Sequence, residues 1–272
     1  MSKSHAVWLG RALLVGALLV AACGGDGEAS DDGALTGTVT VFAAASLTDA
    51  FRVLGDAFEA EHAGVSVAFN FGGSSALATQ IEEGAPADVI ASANDTQLER
   101  LSDADLIAGT PQLFALNALV IVVPADNPAG LGTPADLAQP GLRLVLALED
   151  VPAGRYARAV IANLASDPSY GPVFEAAALA NLVSEEADVR AVLAKVELGE
   201  ADAGVVYRTD AAVAGDAVAV IEFPSQHNVV AAYPIAVTSE ARNRQAAEAF
   251  VAFTLGEAGQ RIFAAAGFDL AP

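Results

Sequence analysis

Short apolar runs alternate with amphipathic stretches along most of the chain from Thr38 onward. The runs are rich in Val, Ile and Phe and end at small or turn-forming residues, whereas the stretches between them repeat their apolar positions with a helical period. This alternation predicts an α/β fold with largely parallel sheets. The predicted strands cover residues 39–43, 65–71, 89–91, 118–123, 142–148, 204–207, 218–223 and 229–237, and the predicted helices cover 47–62, 75–83, 97–102, 134–138, 154–165, 189–199, 241–255 and 258–266.

One apolar run, at residues 113–128, is much longer than the others. Such a run near the middle of the chain predicts a strand that crosses between two lobes, with a return crossing near residues 231–237. The C-terminal helices would then pack on the first lobe. We therefore expect lobe 1 to comprise residues 38–116 and 233–272 and lobe 2 to comprise residues 117–232, connected so that the lobes can close around a ligand.

The N-terminal residues follow a different pattern. Residues 1–22 begin with a polar stretch that carries two basic side chains and continue as an apolar run too short to span a bilayer. Cys23, the only cysteine of the chain, follows directly, as in signal peptides that are cleaved before a lipidated cysteine. Residues 23–37, rich in Gly and acidic side chains, predict a flexible tether. We expect an extracytoplasmic protein anchored to the membrane by a lipid on Cys23; the alternative is an uncleaved anchor with an ordinary cysteine.

The charge balance excludes one class of partner. The chain has 34 acidic and 13 basic residues and a formal net charge of −21. Removal of the signal, which holds two basic residues and no acidic ones, lowers the charge to −23. Nucleic acid is not expected as a partner, because phosphate binding needs clustered Lys and Arg. Net charge does not decide what a local pocket can hold.

Four predicted helices start where a strand or loop ends in small or hydroxyl-bearing residues. Ser46 opens the first, Ser74 and Ser75 open the second, Ala153 lies at the start of the third, and Val189 lies in the first turn of the fourth. The first N–H groups of a helix have no intrahelical acceptor and lie at the positive end of its dipole. Such ends bind oxyanions without a cation. In open α/β sheets these sites collect in the crevice at the carboxyl ends of the strands.

Each of these starts also has an ordinary structural explanation. Ser46 could serve as a helix N-cap, since Ser is among the preferred residues there. Gly72 and Gly73 could form a tight turn that only glycine makes easily. Ala153 and Val189 could be plain backbone. The four starts point to a site only when they are taken together.

Tyr207 is the remaining candidate donor, at the end of a predicted strand. In a core its hydroxyl would donate to a carbonyl group, and at a site it would donate to the ligand. A small charged oxyanion is costly to dehydrate unless nearly every oxygen gains a donor. An oxyanion that keeps a proton brings an O–H donor of its own. Neutral hydroxyl and N–H groups leave this O–H without an acceptor, so binding of the protonated ion is disfavoured. Four arginines near these stretches are expected to be solvated surface residues: Arg155, Arg158, Arg190 and Arg208.

The sequence offers little for catalysis. It has no G-x-S-x-G elbow, and the stretch GGSSALA lacks the lysine of a P-loop. After removal of the signal the histidines are His62, expected to be exposed, and His227, too few for a zinc site of the usual kind. A serine hydrolase, kept as an alternative, would need a base near Ser46 or Ser74. We expect neither an enzyme nor a cofactor.

Several stretches together support a family resemblance: VFAAASLTDAF, FGGSSALATQIEEGAPADVIASAND, NALVIVVP, EDVPAGRYA, ADVRAVLAKVELGEADAGVVY, YPIAV and FTLGEAGQRIFAAAGF. In these stretches, which cover nearly the whole mature chain, it resembles the periplasmic molybdate-binding proteins that serve ABC transporters. The resemblance implies a type II periplasmic-binding-protein fold, with two α/β lobes joined by a two-stranded hinge. It implies a monomer that holds molybdate or tungstate in the cleft and delivers it to a membrane permease. The alternative ligand is another oxyanion, such as sulfate, or a small organic acid.

The resemblance also assigns the ligand contacts residue by residue. It implies hydroxyl and N–H donors from two serines, backbone N–H donors at two helix starts and a phenol donor, at Ser46, Ser74, Ala153, Val189 and Tyr207. A relative has serines where this chain has Gly72 and Gly73, so Ser75 is the alternative to Ser74. The stretch before Pro152 also departs from the family, which leaves a role for Glu149 or Asp150 open.

Overall fold

The computed structural model describes residues 35–271. The predicted signal peptide, Cys23 and the tether up to residue 34 lie outside the described residues. The strands are β1 Gly37–Ala44, β2 Val65–Gly72, β3 Val89–Ala91, β4 Ile107–Pro124, β5 Leu144–Ala147, β6 Leu182–Glu186, β7 Ala203–Tyr207, β8 Val218–Glu222, β9 Val230–Thr238 and β10 Asp269–Leu270. The α-helices are α1 Thr48–Glu61, α2 Ser74–Glu82, α3 Asp95–Asp103, α4 Pro152–Ala165, α5 Phe174–Ala180, α6 Val189–Glu197, α7 Arg208–Ala214, α8 Arg244–Leu255 and α9 Glu257–Ala265. Short 3₁₀ turns cover Ala45–Leu47, Pro134–Ala138 and Gly215–Ala217.

The strands form two sheets that share β4. Sheet A has the order β2-β1-β3-β9-β4, with β10 also on β4, and sheet B joins β8, β4, β7, β5 and β6. The α/β fold predicted from the sequence is confirmed. The expectation of largely parallel sheets is wrong, because every strand that pairs with β4 runs antiparallel to it. The parallel pairs are β1 with β2 and β3, and β5 with β6 and β7.

Strand β4 passes from one sheet to the other. Its first part pairs with β9 from Ile107 to Ala118, and its last part pairs with β7 and β8 from Leu119 onward. The sequence predicted a crossing strand within residues 113–128 and assigned residues 118–123 to it, but it missed the first part from Ile107, because a polar stretch around Thr110 interrupts the apolar pattern. The ladder has irregular register at that point, between Ala108 and Gln112. The chain returns to sheet A in β9, which begins at Val230 and runs antiparallel to β4, so the chain passes between the two sheets twice.

Four further helices and strands were absent from the sequence prediction: α5, β6, α7 and the short β10. Strand β6 has the sequence LVSEE and lies at the edge of sheet B, where its exposed side chains hide the strand pattern. Helix α7 follows β7 without an intervening turn residue. The helix predicted at residues 134–138 is a 3₁₀ turn in the structure. At its start the Asp136 carboxylate accepts the Thr133 N–H at 2.8 Å.

Aromatic side chains fill the core between sheet A and its helices. Phe51 of α1 lies 5.8 Å, centroid to centroid, from Phe114 of β4, and Phe58 lies 5.3 Å from Phe250 of α8. Phe263 of α9 packs on Phe114 at 4.9 Å. The C-terminal helices therefore pack on sheet A, which holds β1 and β2, the strands that lead into Ser46 and Ser74. Within residues 35–271, none of the helices has the length and apolar character needed to cross a membrane.

Candidate functional site

A small cavity lies where β1, β2 and β7 end and where α2, α4 and α6 begin. It measures about 200 Å³ when the open solvent at its mouth is counted, and only about 10 Å³ as room for the centre of a water-sized sphere, so a ligand that fits it is small. No lysine, arginine or histidine is among its lining residues in the described chain. The lining residues are Ala44, Ala45, Ser46, Gly72, Gly73, Ser74, Ala93, Val151, Pro152, Ala153, Asp188, Val189 and Tyr207. The structure therefore brings all five residues predicted as ligand contacts to one cavity, whereas Ser75, Glu149 and Asp150 do not line it.

Ser46 lies in the 3₁₀ turn between β1 and α1, with only 3 % of its surface exposed. Its side chain makes no capping hydrogen bond to the helix, so the N-cap explanation is wrong for this residue. Instead its Oγ lies 3.0 Å from the hydroxyl oxygen of Tyr233 on β9. If Tyr233 donates in this pair, the Ser46 hydroxyl proton is left to donate toward the cavity. The sequence carried no signal for Tyr233, which is 187 positions away.

Ser74 is the first residue of α2 and is buried. Its Oγ accepts the Ala93 N–H at 3.1 Å, which leaves the hydroxyl proton as a donor. The N–H groups of the first turn add to this, because they have no intrahelical acceptor. Strand β1 pairs with β2 and with β3, which ends near Ala93, so the sheet itself holds the two serine-bearing turns side by side.

Gly73 is needed for a close approach across the cavity. The tight-turn explanation is wrong, since Gly73 has φ −63° and ψ 132° and Gly72 is not among the residues with positive φ. A Cβ atom built on Gly73 would lie 2.4 Å from the carbonyl oxygen of Ala187, in the loop between β6 and α6. Only a residue without a side chain lets the α2 start and the α6 start come this close.

Ala153 lies at the start of α4, directly after Pro152, which is at the first helical position. Proline has no N–H, so the N–H of Ala153 is the first that the helix presents. A Cβ atom on Gly154 would come closer than 3.0 Å to the carbonyl oxygens of Ala147 and Leu148. The glycine therefore lets the helix start pack tightly against the end of β5.

The α6 start presents one free backbone donor. Asp188 caps the helix, its Oδ1 accepting the N–H of Arg190 at 2.8 Å and of Ala191 at 3.0 Å. The Val189 N–H has no intrahelical acceptor and remains available at the cavity wall. Asp188 is also a lining residue, and its carboxylate is engaged as the helix cap by the N–H groups of Arg190 and Ala191, which compensate part of its charge.

Tyr207 ends β7 with 1 % of its surface exposed, and its hydroxyl is without a hydrogen-bond partner among residues 35–271. The core explanation, in which this hydroxyl donates to a carbonyl, is therefore wrong. Burial raises the pKa of the Tyr207 phenol well above its ordinary value, so the group stays protonated and able to donate. A buried polar atom without a partner costs free energy, and such atoms in native structures call for an explanation.

Arg190 and Arg158, two of the four arginines expected to be solvated, are only partly exposed. Arg190 donates from Nη2 to Asp49 Oδ2 and from Nε to Asp210 Oδ1, both at 2.6 Å. Arg158 donates to the carbonyl oxygens of Ala147 and Gly154 at 3.0 Å and thereby ties α4 to the end of β5. Arg155 is exposed, and Arg208 pairs with Asp269 at 2.8 Å. No local pattern in the sequence marks the Arg190 contacts, since Asp49 lies 141 positions away.

The serine-hydrolase alternative gains no support from the described residues. Ser46 and Ser74 have Tyr233 and the Ala93 N–H as hydrogen-bond partners, and neither is a general base. His62 is half-buried rather than exposed, with its ring 4.6 Å from that of Phe58. His227 pairs with Asp167 at 3.2 Å. Within residues 35–271 there is also no group of three His, Cys, Asp or Glu side chains able to hold a metal ion.

Comparisons with known proteins agree on one family. The model of the bacterial extracellular solute-binding proteins matches residues 39–269. The molybdate-binding protein ModA of Mycobacterium tuberculosis H37Rv is 41 % identical over 268 residues, covering 96 % of this chain and 98 % of that protein. The solved periplasmic molybdate-binding protein of Azotobacter vinelandii aligns with a TM-score of 0.74 at 22 % identity, over 86 % of this chain and all of that one. The sulfate-binding protein SubI of Mycobacterium tuberculosis H37Rv aligns with a TM-score of 0.77 at 20 % identity, over 86 % of this chain and 87 % of its own. The two structures confirm the periplasmic-binding-protein fold.

Proposed function

We propose that this chain, which belongs to the family of bacterial extracellular solute-binding proteins, captures molybdate in the cavity between its helix starts and delivers it to an ABC transporter. The relative at 41 % identity is a molybdate-binding protein by name and matches over nearly its whole length. The structural observation that carries the proposal furthest is the Tyr207 hydroxyl, a buried donor without a partner at the wall of a cavity that has no cationic lining residue.

The donor set suits a fully ionised tetrahedral oxyanion. In this proposal Ser46, Ser74 and Tyr207 donate through hydroxyl groups, and Ala153 and Val189 donate through backbone N–H groups. Donors that converge from several directions can replace the water around the ion, which a single charged side chain cannot do. Because the donors are neutral, an acceptor-only ion satisfies them all, whereas a protonated oxyanion leaves its own O–H unpaired. Tungstate has nearly the same size, charge and shape as molybdate, so we propose that it binds equally.

The proposal extends to the surroundings of the site. The two sheets would be the cores of two lobes, residues 38–116 with 233–272 and residues 117–232, which close on the ion. Cys23 would carry the lipid that holds the protein at the outer side of the membrane. The protein would act as a monomer, without a cofactor and without catalysis. The cavity beside the strand ends and the two connecting strands β4 and β9 support the closure, and the sequence alone supports the lipid anchor.

A ligand panel tests the proposal directly. We would titrate the chain from Gly24 with molybdate, tungstate, sulfate and hydrogen phosphate in one buffer and measure the heat of binding. We expect tight one-to-one binding of molybdate and tungstate and weaker binding of sulfate, whose shorter bonds leave its oxygens farther from the donors. Absence of molybdate binding, or equally tight binding of sulfate, contradicts the proposal.

A pair of serine variants tests the site within the same panel. Ser46→Ala removes a hydroxyl at the cavity and should weaken molybdate binding by about tenfold to a hundredfold, because a hydrogen bond to a charged group contributes about 1.5–3 kcal/mol. Ser66→Ala is the control, since Ser66 lies on β2 of the same sheet and, within residues 35–271, its Oγ hydrogen-bonds only to the exposed Thr38 hydroxyl. Equal affinities for the two variants would remove Ser46 from the site.

A further inference from the structure

Three charged side chains form an ion cluster beside the cavity, which we call the Arg190 triad: Arg190, Asp49 and Asp210. The guanidinium of Arg190 bridges the two carboxylates at 2.6 Å each. Asp49 is in α1, which follows β1 of sheet A, whereas Arg190 and Asp210 are in α6 and α7, on either side of β7 of sheet B. The Arg190–Asp49 pair therefore joins the two sides of the cavity without being part of its lining.

Each member of the triad is close in sequence to a cavity residue. Asp49 comes three residues after Ser46, Arg190 directly follows Val189, and Asp210 comes three residues after Tyr207. Asp210 also accepts the Tyr207 N–H at 3.2 Å through its second oxygen. The triad thus fixes, relative to each other, three chain segments that present donors to the cavity.

The two ion pairs of the triad differ in exposure. The side chain of Asp210 is 0 % exposed, that of Arg190 is 24 % exposed and that of Asp49 is 46 % exposed. Separating Arg190 from Asp210 would leave a buried charge without a partner, which is strongly unfavourable. The pair with Asp49 is accessible to water and can open and form again at low cost. Arg190 is therefore fixed on the sheet B side and makes its reversible contact with the sheet A side.

We propose that Arg190 is a positioning residue, which holds the two sides of the cavity together around the bound oxyanion through its pair with Asp49. The inference rests on the proposed function and adds a determinant of the rate at which the ion leaves. It makes a prediction that runs against simple electrostatics. We call the Arg190–Asp49 pair the clamp. Asp49 is a negative charge near an anion site, so if the pair did not hold the cavity together, removal of Asp49 would tighten binding. With the clamp, removal of Asp49 loosens the cavity and speeds release.

The test measures release of radiolabelled molybdate after dilution into excess unlabelled molybdate. We expect Asp49→Asn to release the ion about fivefold faster than the wild type. Asp49→Glu should restore most of the wild-type rate because it keeps the charge. Asp56→Asn is the matched control, since Asp56 is exposed on the same helix, loses the same charge and has no ion pair among the described residues. Asp49 is preferred over Arg190 or Asp210 as the site of change, because replacing either of those two also breaks the more buried pair between them and lowers stability.

Ionic strength gives a second readout that a purely structural role would not affect. Salt screens an exposed ion pair, so wild-type release should speed up between roughly 20 and 300 mM chloride more than release from Asp49→Asn does. Release from Asp49→Asn that is unchanged or slower than from the wild type overturns the clamp. If the wild type itself binds no molybdate, the proposed function fails, and the clamp on a bound oxyanion fails with it.

Discussion

Gly73 is the position where the smallest possible change should affect binding most. The backbone at Gly73, φ −63° and ψ 132°, is one that alanine adopts without strain. The added methyl group would nevertheless lie 2.4 Å from the carbonyl oxygen of Ala187, on the other side of the cavity. Ordinary van der Waals contact begins at 3.4 Å, so Gly73→Ala requires the α2 start and the α6 start to separate by about 1 Å.

A separation of this size is enough to break hydrogen bonds to a shared ligand. N–H···O bonds have donor–acceptor distances of about 2.7–3.2 Å, and lengthening one by 1 Å removes most of its energy. Loss of one or two bonds to a charged ion, at about 1.5–3 kcal/mol each, corresponds to at least tenfold weaker binding. The ligand-free protein can relieve the clash by opening the cavity, so its free energy of unfolding should not fall. Replacing Gly by Ala also reduces the freedom of the unfolded chain, which acts to raise this free energy slightly.

Calorimetric titration with molybdate and urea unfolding of the ligand-free protein measure the two effects separately. Gly72→Ala is the matched control, one residue earlier in the same loop, where an added Cβ would meet only the side chain of Leu77 at 3.6 Å. We expect Gly72→Ala to bind within about twofold of the wild type. The reasoning is refuted if Gly73→Ala binds molybdate as tightly as Gly72→Ala, or if it loses affinity only because it unfolds.

Two further substitutions test the buried polar groups. Tyr207→Phe removes a buried hydroxyl that has no partner, so it should raise the free energy of unfolding of the ligand-free protein by about 1–3 kcal/mol. The same substitution should weaken molybdate binding about tenfold or more. Lower stability together with unchanged affinity would contradict both expectations. Asp210→Asn removes a carboxyl whose burial, partly offset by Arg190, raises its pKa to about 6. A raised pKa favours the folded state at low pH, so the wild type should lose about 2 kcal/mol of stability relative to this variant between about pH 4.5 and 7, as measured by urea unfolding across that range. A difference between the two proteins that stays constant with pH would contradict the assignment.

The grouping of the five candidate residues at one cavity could be predicted because their signals are local. A strand that ends in small residues before a capped or proline-led helix start is visible within about ten positions, as at Ser74 and Ala153. The fold class followed from the same alternation of strands and helices. The antiparallel pairing of β4 could not be predicted in this way, because it depends on where the returning strand β9 lies in the sheet.

The groups that support the site were missed because their contacts are long-range. Ser46 meets Tyr233, and Arg190 meets Asp49, across more than half of the chain, and no local pattern marks either pair. Gly73 was attributed to the conformational freedom of glycine, whereas the structure shows that space against Ala187 is what matters. These three features shape the cavity, and only the packing of the two sheets reveals them.

A crystal structure grown with molybdate, with data collected at the molybdenum absorption edge, tests the central claim most directly. The account predicts a single anomalous peak in the cavity, with oxygens within about 3.2 Å of the hydroxyls of Ser46, Ser74 and Tyr207 and of the N–H groups of Ala153 and Val189. It also predicts that no lysine or arginine side chain touches the ion. A peak at another place, or an ion held by an arginine side chain, would contradict the account.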